Sequence, residues 1–145
     1  MTPPEPTPEA APDAHLAEVG AGAAGRSGPR LVVLVPARNA AADLPGWLES
    51  VERFADAVVA LDDGSTDETA AVLEAHPLVE VVLRNPRRES YVGWDDGANR
   101  NRLFEAAGAL APDWILSLDA DERIPADDAV ALREFLATDA LPGLA

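Results

Sequence analysis

No cysteine occurs in this sequence, so disulfides and thiolate metal ligands are both excluded, and the redox compartment cannot be read. Lysine is absent too: all 11 basic residues are arginine. A P-loop needs a lysine on its phosphates, so phosphoryl transfer of that kind is out. Histidine is limited to His15 and His76, which leaves no Ser–His–Asp arrangement to build. No apolar run reaches the roughly 18 residues that suggest a membrane span. The N-terminus lacks the basic head and apolar middle of a secretory signal. A cytoplasmic location is expected, with loose association at the inner face of a membrane left open. Positive charge is scarce, the formal net being −15. Nucleic-acid binding needs a positive surface to displace counterions, so that class of partner is excluded. The same deficit sets a condition on any phosphate ligand. It must come with a metal or meet the few arginines gathered in one place.

At 145 residues the chain is one domain's worth. Residues 1–29 are rich in Pro, Ala, Gly and Glu and hold almost no large apolar side chain. Such a segment cannot offset its ordering entropy and is expected to be a disordered tail, leaving 30–145 as the folded part. Within the tail, Gly20-Ala21-Gly22-Ala23-Ala24-Gly25 matches the dinucleotide-binding glycine pattern letter for letter. That pattern works only between a strand and a helix, and here no strand precedes it. It reads as a flexible linker.

From Leu31 the texture changes. Leu31-Val32-Val33-Leu34-Val35 is a β-branched run suited to a strand buried on both faces, ended by Pro36. Asp43 is placed to cap a helix with Leu44, Trp47, Leu48, Val51 and Phe54 at spacings of three and four. Ala57–Leu61 reads as a second strand. Ser65 and Glu68 then form a capping-box pattern for a helix to about Ala75, which His76-Pro77 breaks. Val79–Leu83 is a third strand. Asp95 or Asp96 can cap a long helix through Leu110 with Leu103, Phe104, Ala107 and Leu110 as its apolar face. Trp114–Leu118 is a fourth strand, and a last helix from Pro125 to about Ala137 offers Val130, Phe135 and Leu136 as core. Four strand–helix units imply an α/β fold with a mainly parallel sheet and flanking helices.

In such sheets ligands sit outside the carboxyl ends of the strands. Each strand here ends in chemically capable residues: Arg38-Asn39, Asp62-Asp63, Arg84-Asn85, and Asp119 with Asp121. All four sets are expected on one edge. Asp119, Asp121 and Glu122 would repel one another unless a cation sat between them, and hard ions such as Mg²⁺ or Mn²⁺ take such oxygens together with substrate phosphates. Asp62-Asp63-Gly64-Ser65 places a carboxylate pair before a tight turn. One acid can accept from a base or ribose while Gly64 admits a close backbone approach; the plainer reading is turn and cap chemistry alone. Arg84, Arg87, Arg88 and Arg100 are the candidate diphosphate neutralisers besides the metal.

Pro36-Ala37-Arg38-Asn39, Asp62-Asp63-Gly64-Ser65-Thr66-Asp67, Arg100-Asn101 and Asp119-Ala120-Asp121 resemble, in order and spacing, the nucleotide-sugar half of family 2 glycosyltransferases. The resemblance runs from about Arg30 to Leu136 and implies the GT-A (Rossmann-like) fold, incomplete at the C-terminus. It implies a nucleotide-diphospho-sugar donor and a divalent metal, Mn²⁺ or Mg²⁺. Pro36, Ala37, Arg38, Asn39, Asp62, Asp63, Arg84, Arg100 and Asp119 would then bind the donor. Asp63 would lie toward base and ribose, Asp119 close to ribose and diphosphate, and Asp121 on the metal. Two departures stand out. Arg38 and Ala40 replace the aromatic and the acid usual in the first loop, and Leu103 stands where the family pattern has glycine. The family's catalytic base lies in an acceptor-binding half, expected here beyond residue 145. The acceptor, a saccharide, lipid or protein, is unspecified. The reading in competition is a non-catalytic nucleotide-sugar-binding module or an inactive fragment. A nucleotidyltransferase would want a Gly-rich basic loop after the first strand, a receiver domain a lysine, and an Asp-x-Asp phosphatase its acids after the first strand.

Overall fold

A computed structural model describes residues 28–138. The expected tail, apart from residues 28 and 29, falls outside them, as do the Gly20–Gly25 pattern and residues 139–145. Eight elements alternate: β1 (Leu31–Ala37), α1 (Leu44–Val51), β2 (Ala57–Asp63), α2 (Thr69–Ala75), β3 (Val79–Asn85), α3 (Asp96–Gly108), β4 (Trp114–Ser117) and α4 (Ala126–Thr138). The sheet order is β3-β2-β1-β4, and every pairing is parallel. This is the expected α/β architecture, with β1 and β2 central and therefore buried along their whole length.

Strand alternation divides the core in two. Leu31, Val33, Val35, Val58 and Ala60 pack with Leu44, Trp47, Leu48, Val51 and Phe54 around α1, and with Leu73 of α2 and Ala129 and Leu136 of α4. Val32, Leu34, Val59 and Leu61 face the other way onto Leu103 and Ala107 of α3. Trp47 and Phe54 are fully buried, so truncating either to alanine would cost about 3–5 kcal/mol. No helix among the described residues is long and apolar enough to cross a membrane.

Several local expectations are corrected. Pro36 does not end β1: Pro36 and Ala37 continue the ladder opposite Leu61 and Asp62. Asp43 occupies the N-cap position of α1 without a side-chain cap bond. The Ser65–Glu68 capping box does not form, because α2 starts only at Thr69 and Ser65 Oγ is taken by the amide of Asn39. Asp95 does cap α3, accepting from the amide of Ala98 at 3.0 Å. That helix stops at Gly108, short of Leu110, and Ala111 follows at φ 53. Phe104, Val130 and Phe135 are exposed, while Leu103, Ala107 and Leu136 carry the contacts.

Candidate functional site

Because all four strands run the same way, their carboxyl ends share one edge, where the polar strand-end residues collect. The β1–α1 loop is stitched to the β2–α2 loop there. Asn39 sits at φ 51, and its side-chain oxygen accepts from the amide of Thr66 at 2.7 Å. The amide of Ala40 donates to Thr69 Oγ1, and that of Ala41 to Asp67. Burial alone would push the Asp67 carboxyl up. Hydrogen bonds from the hydroxyl and amide of Thr69 and the amide of Ala41 outweigh it and hold the group below its ordinary value.

The two acids at the end of β2 part company by strand alternation. Asp62 accepts from the amide of Ser65 at 3.2 Å and so serves the turn. Asp63 points to the α3 face, 1 % exposed, and meets both terminal nitrogens of Arg88 at 2.9 Å. Asn85 Nδ2 donates to Asp63 at 2.6 Å and to Asn99 Oδ1 at 3.0 Å, and Arg102 donates to Asn85 Oδ1. Asn99 is buried, and its Nδ2 has no partner among the described residues. The bidentate Arg88 pair is the main reason the Asp63 carboxyl lies below its ordinary value, against a burial penalty that would raise it.

Arg84 is not brought to this cluster. It follows Val82 on the α1–α2 face of β3 and forms an exposed pair with Glu74 at 3.5 Å. Arg88, three residues into the following loop, stands beside Asp63 instead. Arg87 pairs with Glu89 on the surface.

At the β4 end, Arg100 bridges three groups: Asp96 at 3.2 Å, Asp119 at 3.3 Å and the hydroxyl of Ser117. Glu122 Oε1 accepts from the amide of Asp119, closing the turn. Arg123 reaches from this turn to the carbonyl of Asp43 at 3.0 Å and ties it to α1. Asp121 is exposed and engages no partner among the described residues. Asp119 and Asp121 line a cleft of about 270 Å³ together with Arg38, Asn39, Asp43, Tyr91 and Trp94. A second hollow of about 300 Å³, between α1 and α2, shares no residue with it and is lined by Glu49, Glu52 and His76 among apolar side chains.

Among the described residues no group of three metal-ligating side chains is assembled. The crowding expected of Asp119, Asp121 and Glu122 is relieved by Arg100 and by the Glu122 backbone contact. The donors still suit a hard cation. Asp121 offers a free carboxylate to the cleft beside Asp119, and Mg²⁺-like ions commonly take one or two carboxylates plus substrate phosphates.

Residues 32–140 match the family described as Glycosyl transferase family 2. The chain belongs to that family. An uncharacterized protein of Mycobacterium tuberculosis is 34 % identical over 110 residues, covering 74 % of this chain and 26 % of its own length. The lipopolysaccharide core biosynthesis glycosyltransferase LpsC of Rhizobium meliloti is 35 % identical over 98 residues, covering 68 % and 32 %. The chain thus spans about a quarter to a third of the curated relatives it matches. Among solved structures, TarS residues 1–349 of S. aureus superposes with a TM-score of 0.59 at 23 % identity, over 73 % of this chain and 32 % of that one. The mannosyltransferase PcManGT from Pyrobaculum calidifontis, in complex with GDP-Man and Mn²⁺, gives 0.54 at 21 % identity, over 89 % and 41 %. These neighbours share the GT-A fold.

Within that family 2 frame, Arg38, Asn39, Asp119 and Asp121 meet in one cleft, while Asp63 lies behind Arg88 and Pro36, Ala37 and Asp62 are buried in the sheet. Asn99, Arg102, Tyr91 and Trp94 were not foreseen as site residues. One signal was available for the first two: α3 opens with Asp96–Arg102, a stretch without a large apolar residue in a helix that packs on the sheet. Tyr91 and Trp94 lie in a loop with no periodicity to place them.

Proposed function

We propose that this chain carries the donor side of an inverting, metal-dependent glycosyltransferase that uses a nucleotide-diphospho-sugar. The observation that carries the reading is the cleft at the carboxyl edge, where Asp119, held by Arg100, and the unengaged Asp121 face the loop of Arg38 and Asn39. The GDP-Man and Mn²⁺ bound by PcManGT support the ligand class. Asp121, with Asp119 beside it, would hold Mn²⁺ or Mg²⁺. When bound, such an ion supplies charge neutralisation for the departing nucleoside diphosphate. Arg100 adds a fixed positive charge next to Asp119 and orients that carboxylate. Asp63, on the donor reading, lies toward base or ribose and acts through the Arg88 guanidinium that it holds. Arg84, paired with Glu74, is left without a part in it.

Transfer itself needs an acceptor hydroxyl, from a saccharide, lipid or protein, and a base within hydrogen-bond reach of it. The reaction belongs to the cytoplasmic side, where nucleotide sugars would meet the acceptor. A binding-only module would share the donor cleft and release no nucleoside diphosphate.

The test is calorimetric titration of a panel of nucleoside diphosphates and their sugars, with and without Mn²⁺. Binding is expected only with the metal, and Asp121→Asn should weaken it at least tenfold, about 1.4 kcal/mol. Equal affinity in the variant, or in EDTA, would sink the metal assignment.

A further inference from the structure

Two aromatic rings stand in the open on the loop between β3 and α3. Tyr91 is 61 % exposed and Trp94 40 %, with ring centroids 5.9 Å apart in an edge-to-face arrangement. The loop is nevertheless tied down. The guanidinium of Arg38 lies 4.4 Å from the Tyr91 ring centroid, a cation–π contact. Arg38 also donates to the carbonyl of Arg88 at 2.6 Å, and Arg88 is clamped on Asp63. The amide of Trp94 closes a turn onto the carbonyl of Tyr91 at 2.9 Å. Both rings line the same cleft as Asp119 and Asp121.

We propose that Tyr91 and Trp94 form the stacking wall for the nucleobase of the donor. This rests on the donor reading above and assigns residues that it left without a part. The rings enter the cleft on the loop after β3, where Tyr91 rests on Arg38 beyond β1 and Arg88 ties the loop to Asp63 at the end of β2. The free carboxylate Asp121 and the Arg100–Asp119 pair mark the β4 end. Phosphates go to cations; the planar part of the ligand is the base, and a planar base gains most from an exposed ring. Arg38, stacked on Tyr91 from the first loop, holds that ring in position. Because every base has a π-face, the wall adds affinity without choosing among bases.

The experiment titrates UDP, GDP and inorganic pyrophosphate, each with Mn²⁺, into the full chain and into Tyr91→Ala, Trp94→Ala and Tyr91→Phe. Circular dichroism checks that each variant is folded, as expected for changes at exposed side chains. For whichever nucleoside diphosphate binds the unmodified chain, each alanine variant should weaken binding about tenfold. Pyrophosphate affinity should stay the same, and Tyr91→Phe should retain nucleotide affinity. Nucleotide binding should also quench tryptophan fluorescence, and Trp94→Phe should abolish that quench. Unchanged nucleotide affinity in both alanine variants overturns the wall. So does an equal loss for pyrophosphate, which would mean that the loop shapes the phosphate end. Either result leaves the donor reading standing. An unmodified chain that binds none of the three ligands brings down the donor reading, and the wall with it.

Discussion

Gly64 is fixed by two constraints at once. Its φ of +70 lies in the left-handed region, and a Cβ built there would sit 2.5 Å from the carbonyl oxygen of Pro86 and 3.1 Å from an Arg88 nitrogen. Backbone cannot yield as a flexible side chain can. Gly64→Ala should therefore destabilise the fold by about 2–3 kcal/mol, combining the φ penalty with displacement of the loop. Chemical denaturation measures it; a loss under about 0.5 kcal/mol would show that the loop gives way easily. The close approach was legible in Asp-Asp-Gly-Ser, but its partner was not. What comes close is the β3–α3 loop of the same chain, which carries Arg88 onto Asp63. The residue pattern likewise left the paired acids equivalent, only the family resemblance singling out Asp63, whereas strand alternation sends Asp62 to a turn and Asp63 to an ion pair.

Among the elements, α4 is tied in part by a pair that local pattern could not reveal. Asp56, just ahead of β2, accepts from the amide of Leu31 at 2.6 Å and from Arg133 of α4 at 3.2 Å, and Arg133 also donates to the carbonyl of Pro29. The two charged residues are largely buried, 7 % and 15 % exposed at the side chain. Arg133→Met would keep the packing of the stem and remove the ion pair from the buried Asp56, a change that costs roughly 3 kcal/mol in such settings. The expected outcome is a lower urea midpoint with earlier hydrogen exchange in α4; an unchanged midpoint would show that the Arg133 pair adds nothing to stability. Strands and helices themselves were legible because their signals are local: β-branched runs for β1 and β2, and spacings of three and four for α1. Faces of α3 and α4 were read less well. Phe104, Val130 and Phe135 are exposed, since a weakly patterned helix offers several plausible stripes and only the sheet decides which one is covered.

At the scale of the whole molecule, parallel strand order is what made the candidate site legible, since it gathers four distant strand ends on one edge. Its inner contacts were hidden because they join residues far apart in sequence, as Arg100 joins Asp119 and Arg123 joins Asp43. Charge acts at the same scale. A formal net of −15 means that carboxylates repel one another across the surface at neutral pH. Salt screens exposed charges over about 8–10 Å but reaches a semi-buried pair such as Asp63–Arg88 much less. Added salt should therefore raise the melting temperature at pH 7. Acid acts in two opposed ways: it removes surface repulsion, and it protonates the carboxylates that the fold holds ionised. Asp63 and Asp67 both lie below their ordinary value of 3.8 in the folded state. Their stabilisation is fully present above that unfolded value and is lost as the pH falls below it, through the folded values. The melting temperature should thus change little between pH 7 and about 5, then fall steeply below about pH 4. Asp63→Asn should start lower at pH 7 and show a shallower acid limb, because one of the two linked protonations is gone. Melting curves from pH 7 down to about 3, for both proteins at low and high salt, make the comparison. Parallel acid limbs would show that Asp63 is no more stabilised as a carboxylate in the folded chain than in the unfolded one.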